Sequence, residues 1–489
     1  MRNRYIPRVV VAVGLLLTCV LHAQARPMAT IVDAVEMTRI QFRGVTPDGK
    51  VAALSPDGRK AAAVVWRGDI ERNTNVFSLL VYDLAESKPQ DSELVLSWDF
   101  IGDPEEQFVS PIAQLVFLPD NRTLAFLGRR DGGVAQVYTV DIESRKVEQL
   151  TNHPSAVRSY VVGADGKLLA YTAVAPGSQG IATNRILEDG VFWWDQSVFS
   201  LQSRQSFASP LIRWGEGNPP IRKYFVNRRG TMVEFFDSRQ SAAPALDLSE
   251  TDVANGPTAS LVADFVLASA GSLTADPNGR YVLMYPFALG DDPVQTDRYA
   301  FYQQPRFARN AFVRRIAAPF GLLDVNTGKI DRLLDAPGNL FGSSFGSPLW
   351  TLDGEAVLVQ TLLPDAPMAM PQWVEVQIGT RKITPLNVSE RWRPLRWLDN
   401  RALLLEAEGG KRFARIERSA DGLWSELKEI QIPKGFNANW SVVSNGEWVL
   451  GVKDSTYSPP ELVVTDLDSG RDTVLSDFNP QLRQLRYGR

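Results

Sequence analysis

The sequence predicts an all-β fold, a β-propeller of four-stranded antiparallel blades, on three observations. A short turn motif recurs seven times, and each copy feeds an apolar strand. A second turn motif follows most copies, so the repeating unit is two hairpins. No stretch carries a sustained helical period.

The first motif is an Asp or Asn, usually then Gly, then a polar residue and a strand. Its copies are "SPDGRKAAAVV" at Ser55, "LPDNRTLAFLG" at Leu118, "GADGKLLAYTA" at Gly163 and "DPNGRYVLMYP" at Asp276. Further copies are "TLDGEAVLVQT" at Thr351, "WLDNRALLLEA" at Trp397 and "VSNGEWVLGVK" at Val443. Asp, Asn and Gly tolerate positive φ, so each copy reads as a tight hairpin turn. Val45-Thr46-Pro47-Asp48-Gly49 is an eighth match, too close to the next to mark a blade of its own. The second motif is an alternating strand ending in Asp and a turn: "SLLVYDLAES", "QVYTVDIESRK", "FGLLDVNTGK" and "ELVVTDLDSGR".

The anchors Asp57, Asp120, Asp165, Asn278, Asp353, Asp399 and Asn445 are separated by 63, 45, 113, 75, 46 and 46 residues. Three of these gaps match one four-stranded propeller blade. The gaps of 63 and 75 allow a blade plus an insertion. The gap of 113 leaves room for an eighth blade or a long insertion around "GVFWWDQSVFSLQSRQSF". Seven blades are expected, with eight left open.

The N-terminus reads as an export signal. Arg2, Arg4 and Arg8 precede the apolar run Val9 to Leu21, and Ala23-Gln24-Ala25 forms an A-x-A cleavage site. Residues 1–25 are therefore expected to be a signal peptide, 26–482 the propeller and 483–489 a C-terminal tail. The expected location is periplasmic or secreted, with no membrane attachment after cleavage. The only cysteine, Cys19, lies inside the signal, so the mature chain has no disulfide or thiolate chemistry. Cleavage removes three Arg and no acid, which moves the net charge from −4 to −7. That balance gives no general attraction to nucleic acid.

The candidate chemical constellations each have a structural reading that fits better. Gly342-Ser343-Ser344-Phe345-Gly346 is a literal G-x-S-x-G, the nucleophile elbow of serine hydrolases. The elbow needs a strand before it and a helix after it, whereas Ser347-Pro348-Leu349-Trp350 leads into the next blade turn. The general base is also missing. His22 leaves with the signal, and His153 precedes Ser344 in an inter-blade loop. No catalytic residue is assigned, Ser344 included.

Metal and cofactor signals are equally thin. The chain lacks the several His or Cys that zinc needs. Asp466, Asp468 and Asp472 in "DLDSGRD" resemble part of a calcium loop but match a solvated hairpin turn better. Neither phosphate-binding glycine motif is present, so no cofactor and no metal are expected. Phe192, Trp193 and Trp194 read as packing. Arg391, Arg393 and Arg396 interleave with Trp in "SERWRPLRWL", a structural Arg–aromatic arrangement.

Two stretches carry a family resemblance. "SPDGRKAAAVVWRGDIERNTNVFSLLVYDL" resembles the first blade of the prolyl oligopeptidase (S9) family of serine peptidases. "DSTYSPPELVVTDLDSGRDTVLSDFNPQL", Asp454 to Leu482, resembles the last propeller blade of its acylaminoacyl- and dipeptidyl-peptidase-like members. The exported character is also similar to lasso-peptide isopeptidases. The resemblance implies a propeller that caps a peptidase active site and restricts access to short or unusually shaped peptides. In the family an α/β-hydrolase domain carrying Ser, Asp and His follows the propeller. Here the sequence ends at "RQLRYGR", just past Asn479-Pro480, so no catalytic family residue can be carried over.

The implied partner is a separately encoded or lost hydrolase domain, and the implied substrate is a peptide reached through it. The loop "GDIERNTN", Gly68 to Asn75, is a candidate for the surface facing that domain. The alternative expectation is a stand-alone TolB-like periplasmic propeller that binds proteins as a scaffold, since such propellers share these hairpin turns.

Overall fold

In the computed structural model, residues 28–484 are described except 43, 48, 85–91, 102–109, 131–132, 164, 175–221, 229–230, 238–271, 286–297, 300–319, 338–346, 364–370, 390, 408–411, 420, 431–441, 445–447, 456–457 and 468. Among the described residues one short helix, α1 (Ile31–Glu36), precedes the strands.

The first sheet holds β1 (Arg39–Ile40), β2 (Ala52–Leu54), β3 (Lys60–Asp69), β4 (Thr74–Asp83) and β5 (Glu93–Phe100). The second holds β6 (Ile112–Phe117), β7 (Thr123–Gly128), β8 (Gln136–Asp141) and β9 (Val147–Gln149). The third holds β10 (Val157–Val162), β11 (Leu168–Val174), β12 (Arg222–Arg228) and β13 (Thr231–Asp237). The fourth holds β14 (Ser272–Ala275), β15 (Tyr281–Tyr285), β16 (Gly321–Asp324) and β17 (Ile330–Arg332). The fifth holds β18 (Leu349–Trp350), β19 (Ala356–Thr361), β20 (Gln372–Gln377) and β21 (Ile383–Pro385). The sixth holds β22 (Trp392–Trp397), β23 (Ala402–Ala407), β24 (Arg412–Glu417) and β25 (Lys428–Ile430). The last holds β26 (Val442–Ser444), β27 (Trp448–Ser455), β28 (Ser458–Asp466) and β29 (Asp472–Val474).

Six sheets are the four-stranded antiparallel blade that the repeat predicts, not seven or eight. The first sheet departs because β1 and β2 lie end to end along one edge of β3. Ile40 pairs with Val65, Gln41 N–H donates to Val64 O at 2.9 Å, and Ala52 pairs with Ala63. The innermost position is thus filled twice, and the described residues between Gln41 and Ala52 leave the strand line between the two halves.

The turn chemistry follows the predicted motifs. Gly58 adopts φ +71, and Asp57 Oδ1 accepts from Arg59 N–H at 3.0 Å and from the Ser55 hydroxyl at 2.6 Å. Asp141, of the second motif, accepts from Ser144 N–H at 2.7 Å. Neighbouring turns are also tied together. Asp57 N–H donates to Asn121 Oδ1 at 3.0 Å, and Asn278 Nδ2 donates to Asp353 O at 2.8 Å. Asn445 and the turn it anchors lie outside the described residues.

Several turn carboxylates are held below the ordinary range. In Asp141 the leading cause is the hydrogen bond from the Arg122 side chain, in Asp165 that from Lys167, and in Asp353 that from the Thr351 hydroxyl. A carboxylate lowered in the folded chain stabilises it above the unfolded value of about 3.9. That contribution is lost as pH falls through the folded value. Thermal melts from pH 7 to pH 2 are expected to show a steady melting temperature down to about pH 5 and a progressive fall below it.

Packing closes the ring. Buried side chains join each sheet to the next: Leu79 with Phe126, Val137 with Tyr171, Ala170 with Val282, Leu322 with Val357, and Leu358 with Leu403 lie in shared clusters. Phe413 shares one with Val449, and Leu450 with Ala61, which returns the series to the first sheet. Second strands are the most buried; β23 is buried at every position. Fourth strands such as β9 and β25 are mostly exposed and lie outermost. First strands touch across sheets, β2 with β6, β10 with β14 and β18 with β22, and so line the axis.

The ends of the ring are joined without a shared strand. Thr38 N–H donates to Asn479 Oδ1 and Asn479 Nδ2 donates to Thr38 O, both at 2.8 Å. Asn479 is 1% exposed.

Candidate functional site

Strand order makes the two faces of the ring unlike. Connections from first to second and from third to fourth strands emerge on one face, and these are the short Asp turns. Connections from second to third strands, and from each sheet to the next, join strand ends on the other face. The strand ends flanking 175–221, 238–271 and 286–319 lie on that second face, and of these ranges only Arg298 and Tyr299 are among the described residues. Both terminal segments, around Thr38 and Asn479, are there too. Binding residues collect where a rigid scaffold presents its long connections, so this face is the candidate site.

One corner of it is described in full. The hairpin of β3 and β4 carries the predicted loop Gly68 to Asn75 at its tip. Arg72 ties that tip to Asp69 at 2.8 Å and to Asp99 at 2.6 Å. Asp69 is lowered, first by the hydrogen bond from Arg72 N–H and then by the Arg72 side chain. Helix α1 leans on the same hairpin. Its N-terminus is a capping box: Asp33 N–H donates to Thr30 Oγ1 at 3.2 Å and Thr30 N–H donates to Asp33 Oδ2 at 2.8 Å. At its other end Arg39 donates to the carbonyls of Ala34, Val35 and Met37 and stacks 4.8 Å from the Trp66 ring. No residue of α1 is buried, and Ile31 is 83% exposed, beside Met28 and Val32. Ile70 at the hairpin tip and Ile101 after β5 are exposed as well. An apolar corner with ion-paired rims is suited to contact with another protein surface.

Gly68 is what lets the helix approach. A Cβ there would stand 2.6 Å from Val35 Cγ1 and 2.9 Å from Val35 O. Gly68→Val is expected to displace α1 and speed proteolysis within residues 28–37. Because no residue of α1 is itself buried, overall stability should move by no more than about 1 kcal/mol.

The axis holds a buried charge cluster that sequence reasoning missed. Lys50 is 2% exposed and forms an ion pair with Glu406, which is 1% exposed and lies on β23. Arg393, partly exposed on β22, pairs with the other oxygen of Glu406. The discounted eighth turn motif, Val45 to Gly49, is what delivers Lys50. Its Gly49 has φ +79, and Lys50 N–H donates to Thr46 Oγ1 at 2.6 Å. The motif was the only signal available, and it marks an excursion toward the axis.

The other sequence candidates separate. Ser344 with its G-x-S-x-G, the aromatic run Phe192 to Trp194, and Asp468 lie outside the described residues. His153 packs edge-on against the stacked pair Tyr171 and Phe225, and its Nδ1 accepts from Ser155 N–H at 3.2 Å. Asp466 caps its turn through Ser469 N–H at 2.7 Å, while Asp472 pairs with Lys453 at 2.5 Å. The Trp rings of the sixth sheet also take arginines from outside "SERWRPLRWL": Arg412 lies 5.2 Å over Trp392, and Arg418 lies 5.7 Å over Trp397 and 4.8 Å over Trp424. Cross-strand pairing decides this. Arg412 sits on β24, two strands from Trp392, and β23 lies between them.

The class these features define is a β-propeller with one face of short turns and one of long connections. No family model matches the sequence, and no curated protein matches it. Among solved structures it is similar to an acylaminoacyl peptidase in complex with Z-Gly-Gly-Phe-chloromethyl ketone, at 11% identity and TM-score 0.47, over 94% of this chain and 55% of that one. It is also similar to the AtxE2 isopeptidase with Astexin3-dC4 bound, at 15% identity and TM-score 0.41, over 94% and 56%. A third is the β-propeller domain of the Trilobed protease from Pyrococcus furiosus, at 11% identity and TM-score 0.44, over 91% and 99%. The chain spans about half the length of the first two.

Proposed function

We propose that this chain is the exported propeller portion of an S9-type serine peptidase. It limits which peptides reach a catalytic unit and is itself without the nucleophile. The five-stranded first sheet serves as a seventh blade in this reading. The observation that carries it is the meeting of Thr38 and Asn479 on the face that also bears the long connections and the apolar corner of α1. An α/β-hydrolase unit attached there would cover that face, and the "PPELVVTDLDSG" and Asn479-Pro480 motifs resemble the family at this boundary.

The test is a tagged chain expressed in its native host, with bound proteins identified after export and the purified chain treated with a fluorophosphonate. The reading expects no labelling of the chain alone, and labelling plus peptide hydrolysis once a serine hydrolase is bound. Labelling of Ser344 in the isolated chain would overturn the non-catalytic assignment. A partner that is not a hydrolase would replace this reading with that of a scaffold.

A further inference from the structure

We propose that the described residues Gly44 to Pro47 and Gly49 to Val51 form an axial latch, an excursion of the innermost strand that closes the centre of the ring and is fastened on its far side by Lys50 on Glu406. The chain leaves the strand line after Gln41 and returns at Ala52, directly opposite consecutive residues of β3. Between those points it makes two sets of contacts on different sheets. Gln114 N–H donates to Gly44 O at 2.8 Å and Leu115 N–H donates to Val45 O at 2.6 Å. These bonds seat the excursion in a bulge of β6, where the pairing with β7 shifts between Ala113 and Val116 and Gln114 takes φ +53. The bulge is braced from the third sheet, since Tyr160 Oη donates to Gln114 O at 2.6 Å and Gln114 Nε2 donates to Arg158 O at 3.2 Å.

The far anchor is on the sixth sheet, which is not a neighbour of the first. Glu406 lies 356 positions from Lys50 in sequence. A segment that touches the second and sixth sheets from the first must cross the axis. Along it Val45 and Val51 are fully buried and Thr46 and Lys50 nearly so, while Gly44, Pro47 and Gly49 are exposed. The two anchors differ in kind. The β6 side is backbone bonding and apolar packing, and the β23 side is one ion pair. Losing the ion pair frees the Lys50 end and leaves the excursion held by the two bonds to β6 alone, so it opens there more often while the sheets themselves keep their bonds.

The test uses the full chain with Cys19→Ser, so that Val45→Cys supplies the only thiol. With Lys50 in place, reaction with a maleimide should be slow. With Lys50→Met added, labelling should rise at least about tenfold, while strand amides of β7 and β19 keep their exchange protection, as local opening requires. Equal labelling in both chains would overturn the latch, and so would faster labelling accompanied by equal loss of protection in every sheet. Should Lys50→Met not fold, hydrogen exchange on the natural chain decides. The amides of Gln114 and Leu115 should exchange at least about tenfold faster than those of Leu124 and Val140. Exchange at the same rate as those strands would make the segment part of the fixed core.

Discussion

Glu406→Ala is expected to destabilise the chain by about 3–5 kcal/mol, the largest effect of any single substitution considered for this protein. The magnitude comes from what is left behind. Lys50 is 2% exposed, so without its partner an ammonium group stays in a site from which water is excluded. Arg393 loses the same partner but reaches solvent and adds little to the cost. Replacing both buried charges, Lys50→Met with Glu406→Leu, should recover most of the loss, because well-packed apolar groups substitute for a buried pair at little cost. Urea unfolding of the three chains measures this directly. A Glu406→Ala midpoint within error of the natural chain would mean that Lys50 finds water or another acceptor.

Asn479→Ala should cost about 2–4 kcal/mol and act on ring closure. The amide of Asn479 satisfies both the N–H and the C=O of Thr38, and truncation leaves two backbone groups unpaired in a largely buried seam. Hydrogen exchange should locate the damage in β27 and β28, which pack on the first sheet, and leave the fourth and fifth sheets unchanged. Loss of protection spread evenly over all sheets would show that the seam is not a separate unit. Asn479→Gln, with the same groups one methylene displaced, should fall between the two, since the pairing is bidentate and geometry-sensitive.

Much of the architecture was legible because it is written in local chemistry. An Asp-Gly turn needs only its own few residues, so "SPDGRK" and "TLDGEA" reveal hairpins without any knowledge of what they pack against. The same locality hid the rest. Val45 to Gly49 has the same turn chemistry as the blade turns, and nothing nearby distinguishes a hairpin from an excursion whose partner is 356 positions away. The doubled innermost strand of the first sheet was invisible for that reason, and with it the departure from a uniform set of four-stranded blades. Arg412 and Arg418 could not be read from "SERWRPLRWL" because neighbours in that stretch lie along one strand, whereas their stacking on Trp392, Trp397 and Trp424 runs across strands. His153 was placed correctly in an inter-sheet loop, but its edge-on packing against Tyr171 and Phe225 depends on strand pairing in the third sheet.

The bond between Thr38 and Asn479 has a consequence for chain connectivity. Each sheet is assembled from consecutive strands and packs on its sequence neighbours, and residues 38 and 479 touch. Very little in such a molecule depends on where the polypeptide is cut. A short linker joining the two ends, with new termini opened in the connection at 150–156 between the second and third sheets, would leave every sheet covalently intact. Such a circular permutant should fold to the same ring. The seam pinned by Asn479 would become continuous chain, and the boundary that no chain crosses would move to the new opening.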